Sequence, residues 1–169
     1  MKPGKIRALA LGVFRKDGQI LVYEGFDTVK RETFYRPLGG AIRFGEYGRQ
    51  ALARELREEL GVEITNLRYL GLSENIFTCD GQRGHEIVLI YVADVADKTV
   101  YERERLIGHE DDGSPIQVVW KPLESFQRRE ASLYPDGLLE LLLADDAAAD
   151  KQGQPTACHE GDSNRLSPP

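Results

Sequence analysis

Short runs of β-branched and aliphatic residues alternate with turn residues through the first half of the chain. Residues 7–15 and 19–24 flank Asp17-Gly18, a dipeptide that tolerates the positive φ of a tight turn, and predict a β-hairpin. Residues 34–40, Phe-Tyr-Arg-Pro-Leu-Gly-Gly, break this regularity: Pro37 restricts Arg36 to extended geometry, and the glycine pair permits a tight, closely approached backbone. A helix follows from about Tyr47 to Leu60, with Gly61 placed as a left-handed cap. Residues 62–78 and 86–95 read as strands separated by the turn-rich segment 79–84, and 116–121 as a further strand. The charged stretch 96–115 is either a long loop over an active site or an ordinary solvated connection. Pro135 suits the first turn of a last helix that carries Leu138, Leu139, Leu141, Leu142 and Leu143. From Asp145 onward Leu166 is the only residue of the Leu/Ile/Val/Phe group, so 145–169 is expected to be a disordered tail behind one domain, 1–144.

The 169 residues suit a single core. The longest apolar run, 87–93, fits a buried strand and is far short of the roughly 20 residues of a membrane-spanning helix. The opening residues lack the apolar stretch of a secretory signal, and Cys79 and Cys158 are too isolated to suggest a disulfide framework or a zinc site. A cytoplasmic protein without a membrane partner is the expectation. Twenty-two Lys and Arg against 28 Asp and Glu leave a net charge of −6, which counts against bulk nucleic-acid binding. An acidic protein that handles phosphates needs a metal ion or a few placed arginines.

The helix concentrates the chemistry. With Glu55 at 0° and about 100° per residue, Glu58 falls near −60° and Glu59 near +40°, while Leu52, Ala53, Leu56 and Leu60 cluster at roughly 60° to 160°. This predicts a carboxylate stripe beside a separate apolar one. All three glutamates lie in the C-terminal half, where the helix dipole disfavours anions, and they repel one another at i,i+3 and i,i+4 spacing. Arg54 and Arg57 would soften the clash on a solvated Glu/Arg face; a divalent cation with hard oxygen ligands would relieve it instead.

The residues before the helix decide between these. Gly40, Glu46 and then Arg54-Glu55-Leu56-Arg57-Glu58-Glu59-Leu60-Gly61-Val62 resemble a complete Nudix box. At roughly 7% per residue type, the fixed Gly, Glu and Arg positions coincide by chance about once in 10⁸ windows. The resemblance covers residues 40–62 and implies an α/β fold, the Nudix α/β/α sandwich with a mixed β-sheet. It further implies hydrolysis of a nucleoside diphosphate linked to another moiety, with Mg²⁺ or Mn²⁺ held by Glu55, Glu58 and Glu59 and by a backbone carbonyl at Gly39. Gly40, Glu46 and Gly61 would be structural, and Arg54 would orient a catalytic glutamate. Leu38 stands where the commoner pattern has proline directly before the glycines, which leaves the carbonyl ligand open.

A general base in this family comes from the box, here Glu58, or from a later loop, here Glu86 or Glu110. His85 and His109 adjoin the last two and titrate near working pH. Arg36 and Arg43 flank the glycines as candidate phosphate ligands. Phe34, Tyr35, Phe44, Phe77 and Trp120 are candidate stacking residues for a base. Residues 63–84 contain neither a proline nor a distal tyrosine, so subfamily markers for ADP-ribose, dinucleoside polyphosphate or NADH substrates are missing. The expected partner is a small nucleotide, on a monomer or homodimer. A nucleotide-binding sensor without turnover is the alternative, against which the retained glutamates argue.

Overall fold

The computed structural model describes residues 4–110 and 112–153. Strands β1 (Ile6–Val13), β2 (Arg15–Lys16), β3 (Gln19–Asp27), β4 (Glu32–Arg36) and β5 (Leu38–Ala41) precede helix α1 (Gly48–Leu60). The long strands β6 (Ile64–Cys79) and β7 (Gln82–Val95) follow, then β8 (Arg105–His109), β9 (Pro115–Pro122), the short helix α2 (Leu123–Gln127), β10 (Ser132–Leu133) and α3 (Leu138–Gly153). One sheet has the order β5-β1-β7-β6, the other β10-β4-β3-β9-β8 with β2 paired to β3. The first is mixed, because β1 runs parallel to β7 and antiparallel to β5. Helix α1 packs on β1, β5 and β8, and α3 on β6. This is an α/β fold with helices outside paired sheets.

The turn at Asp17-Gly18 forms with φ of 48° and 74°, but it joins only β2 to β3. The predicted partner strand, residues 7–15, breaks after Val13, and β1 enters the other sheet. Its composition explains why: Leu9, Ala10, Leu11 and Val13 are all buried, and a strand apolar on both faces belongs in a sheet interior. The glycine segment is likewise a strand, β5, rather than an irregular loop.

Two further expectations are corrected. The charged stretch 96–115 contains strand β8, whose alternation of exposed and buried positions rests on Leu106 and Gly108 alone. Helix α3 starts at Leu138 rather than Pro135 and continues through 145–153, where the polar composition suggested a tail. Asp145 and Asp146 pair with Arg15, at 3.6 and 2.6 Å, and Asp145 also pairs with Arg68 at 2.8 Å. These ion pairs hold the first two positions of the extension without apolar residues. The rest of the expected tail, 154–169, lies outside the described residues.

The core has two parts. Leu52 and Leu56 of α1 pack with Ala10, Leu21, Leu38 and Val118. Leu138 and Leu142 of α3 pack with Leu9, Leu11, Val88, Ile90, Ile20 and Val22. Both sheets contribute to each part.

Candidate active site

Helix α1 is capped by Tyr47, whose N–H donates to Gln50 Oε1 at 3.0 Å. It ends at Gly61 with φ 67°, whose N–H donates to the Arg57 carbonyl at 3.0 Å. The positions of the three glutamates are thereby fixed. They do not form a stripe apart from the core: Ala51, Leu52, Glu55, Leu56 and Glu59 are all buried, and only Glu58 stands exposed. The buried sector is centred between the two predicted stripes, because β5 lies against the carboxylate side, with Gly40 beside the Glu55 carboxyl, and β8 against Leu60. Glu55 and Glu59 are 8% and 9% exposed.

Arg54 organises the rim. Its Nε and Nη2 donate to Glu46 at 2.9 and 3.0 Å, and its Nη1 donates to Glu55 Oε1 at 2.8 Å and to Glu58 Oε2 at 2.9 Å. Nη2 also reaches the Ala41 carbonyl at 2.9 Å, tying α1 to β5. Arg43 makes a longer contact with Glu58, 3.5 Å, and its backbone N–H donates to Glu46 at 3.1 Å. The Arg54 hydrogen bonds hold the Glu46 carboxyl down at about 2. A carboxylate depressed in the fold stabilises it above the ordinary value of about 4.5, and loses that contribution as pH falls through the folded value. Glu46→Gln is accordingly expected to lower stability by about 1–2 kcal/mol at pH 7. The gap to wild type should close between about pH 4.5 and 2, which urea unfolding across that range measures.

Glu59 behaves in the opposite way. Burial pushes its carboxyl up to about 7; Glu110 and Glu55 add to this, against the Arg36 guanidinium and the Gly39 backbone N–H, which favour the anion. Among the described residues no group of three or more His, Cys, Asp or Glu is arranged to hold a metal ion. The donor chemistry nevertheless fits Mg²⁺ or Mn²⁺, which take one or two carboxylates and complete their shells with water and substrate oxygens. A buried carboxylate crowded by two other anions is a place where added positive charge is favoured.

A cavity of about 310 Å³ opens between the sheets, lined by no residue of α1. Arg36 and Glu110, which act electrostatically on Glu59, both line it. So do Tyr23, Phe34, Phe77 and Tyr134, together with Arg7, Asn75 and Glu86. Of the predicted residues the structure therefore gathers Arg36, Glu86, Glu110, Phe34 and Phe77 around one space. It leaves Arg43 on the rim with Glu58. Glu86 is 4% exposed and is held by Arg7. His85 contacts Glu74 at 2.9 Å, and His109 lies exposed on β8. Phe44 is fully exposed, Tyr35 is core, and Trp120 stacks on Tyr101 at 5.5 Å.

Sequence reasoning missed Arg7, Tyr23, Asn75 and Tyr134. Arg7 and Asn75 are both registered to Glu86, from β1 and β6, and that row exists only once the parallel β1–β7 pairing is known. A polar Asn inside an otherwise strand-forming run was the one available signal.

The fold has a match among known proteins. The NUDIX domain family profile covers residues 4–142, so the chain belongs to the Nudix family and is classed with the Nudix hydrolases. The NAD-capped RNA hydrolase NudC of Vibrio vulnificus is 44% identical over 41 residues, 24% of this chain and only 16% of that protein. A NUDIX hydrolase from Nitrosomonas europaea superimposes with a TM-score of 0.59 at 16% identity, covering 85% of this chain and 90% of that one. The E. coli ORF135 protein gives a TM-score of 0.53 at 26% identity, covering 86% and 94%. Among the described residues no helix is long and apolar enough to cross a membrane.

Proposed function

We propose that this chain hydrolyses the diphosphate linkage of a nucleoside diphosphate derivative, such as a nucleoside triphosphate, nucleotide sugar or dinucleotide. The products would be a nucleoside monophosphate and phosphate-X. The observation that carries this reading is the cavity, of a size typical for small-ligand sites, whose lining residues Arg36 and Glu110 act electrostatically on Glu59 of the box helix.

Glu55 and Glu59, with Glu58 and the Gly39 carbonyl, are the residues that would hold Mg²⁺ or Mn²⁺. Bound there, the cation supplies charge neutralisation of the diphosphate and polarisation of water and phosphoryl oxygen. Arg54 holds Glu55 and Glu58 in place. Arg36, whose Nε is buried without a hydrogen-bond partner, donates to a non-bridging phosphate oxygen. Water attacks one phosphorus in line; a P–O bond to water forms as the bridging P–O bond breaks, and the leaving phosphate departs with the electron pair. Glu110 accepts the water's proton. It suits this role better than Glu86, whose carboxylate is engaged by Arg7.

Product formation from a nucleotide panel, followed by ion-exchange chromatography with Mg²⁺, Mn²⁺ or EDTA, tests the reading. Turnover with either metal and at least about a 100-fold loss in EDTA is the expected result. Turnover indifferent to EDTA overturns the metal assignment, and nucleotide binding without turnover points to the sensor instead.

A further inference from the structure

Most arginines near the site are already paired. Arg7, Arg43 and Arg54 each face a carboxylate, as a chain of net charge −6 makes easy. Arg36 differs. Its guanidinium has no such partner among the described residues, and its Nε is buried without a hydrogen-bond acceptor. A desolvated donor left unmatched works against the fold, so something other than charge pairing holds this side chain.

The holding group is a ring. Tyr23 of β3 stands directly opposite Arg36 of β4, and Arg36 Cζ lies over the face of the Tyr23 ring, 5.8 Å from its centroid. That distance is within cation–π range. The ring is itself backed: Phe34 meets it edge-on at 6.1 Å, and Tyr134 meets Phe34 edge-on at 6.0 Å. Gly25, opposite Phe34, permits this, because a Cβ there would overlap the Phe34 ring. Tyr23 also packs against the core part that contains Leu21, Leu38 and Leu52. The cation therefore rests on a support that is fixed from behind.

A ring and a carboxylate differ in what they leave for a ligand. A carboxylate would neutralise the guanidinium and occupy its N–H donors. A ring face sets the plane of the cation and uses none of them. Burial pushes the Tyr23 hydroxyl up from its ordinary value, which keeps the ring a neutral support rather than a counter-ion. Tyr23 and Arg36 both line the cavity, and the Arg36 guanidinium is near enough to Glu59 to act on its charge.

We propose that Tyr23 is a positioning residue, which presents the Arg36 guanidinium, uncommitted to any carboxylate, to the diphosphate of the substrate. The inference rests on the reading above, in which Arg36 binds a phosphate oxygen, and adds the residue through which Arg36 is held.

Calorimetric titration of the full chain with imidodiphosphate in Mg²⁺ tests it; the bridging nitrogen of this diphosphate mimic resists hydrolysis. Arg36→Gln is expected to weaken binding by about ten-fold or more, and Tyr23→Leu by about five-fold. Tyr23→Phe, which keeps the ring and lacks the hydroxyl, should stay within about two-fold of wild type. In the Arg36→Gln background Tyr23→Leu should add no further loss, whereas a purely structural tyrosine would weaken binding by the same factor in both backgrounds. The wild-type chain supplies a readout that needs no variant: NMR signals of the Arg36 side chain should lie upfield of those of exposed arginines, shielded by the ring. Additive losses, a Tyr23→Phe as weak as Tyr23→Leu, unshielded Arg36 signals, or absence of imidodiphosphate binding would each overturn the proposal. Nucleotide turnover alongside any of these would leave the hydrolase reading standing. The expected coupling without turnover of any nucleotide would do the reverse.

Discussion

Glu59→Gln should lower kcat/KM on the order of 10²–10³-fold and at the same time stabilise the metal-free fold. Glutamine keeps the shape of the side chain and one oxygen but removes the charge that a cation needs. The stability effect has the opposite sign because the site is built against its own anions. Glu59 is buried, with Glu55 and Glu110 acting on it and the Arg36 guanidinium opposing them, so its folded value of about 7 lies above the ordinary 4.5. An acid raised in this way costs nothing while it is protonated in both states, and the penalty grows as pH rises from the unfolded value to the folded one. In EDTA, Glu59→Gln should match wild type near pH 4 and exceed it by about 1–3 kcal/mol at pH 8, after allowance for relaxation around the buried group. Denaturant unfolding at the two pH values, with kinetics on the same preparations in Mg²⁺, measures both effects. Activity within a few-fold of wild type would remove Glu59 from the site. An activity loss with lower stability at pH 8 would mean that its charge serves the fold.

That coupling of cost and function marks how far the sequence could be read. The unfavourable placement of Glu55, Glu58 and Glu59 was visible from helix periodicity and dipole alone, and the matching of Gly40, Glu46 and Arg54 to a family pattern turned it into a reaction. What periodicity could not show is which sector of α1 is covered. A helix lying on one sheet buries a single stripe; β8, hidden in a charged stretch with only Leu106 and Gly108 facing inward, covers the Leu60 side of α1, while β5, hidden in a glycine segment, lies against Glu55 and Glu59. The cavity was less legible still. Phe34, Phe77, Arg36, Glu86 and Glu110 each carried a reason to be considered, yet the row Arg7–Glu86–Asn75 depends on a parallel pairing between strands more than seventy positions apart, as the Arg7 to Glu86 contact spans 79. Residue-by-residue alternation carries no record of such a register.

The neighbouring glycines of β5 should separate fold from site. Gly39→Ala is expected to destabilise the protein by about 3–5 kcal/mol, enough to leave a marginal domain largely unfolded. Gly39 has φ of +122°, a region that residues with a Cβ rarely adopt, and its added methyl would overlap the Ala10 carbonyl oxygen and lie 3.0 Å from Leu52 Cδ1. Neither neighbour can yield. Ala10 belongs to β1, paired on one side with β5 and on the other with β7, and Leu52 is fully buried in the α1 core. Gly40 differs in the one respect that matters: its φ is unexceptional, and a methyl there meets the Glu55 carboxyl, with Cδ at 2.6 Å. A side chain can swing aside where a paired strand cannot. Gly40→Ala should therefore fold with a loss of no more than about 1–2 kcal/mol. It should nevertheless lose most of its turnover, because the displaced carboxylate is the one Arg54 holds at 2.8 Å. Urea midpoints for the two variants, beside kcat for Gly40→Ala, distinguish these outcomes. A Gly39→Ala protein with the wild-type midpoint would mean that β5 can move away from β1, and the rigid footing that this strand gives to the carboxylate site would be lost with it.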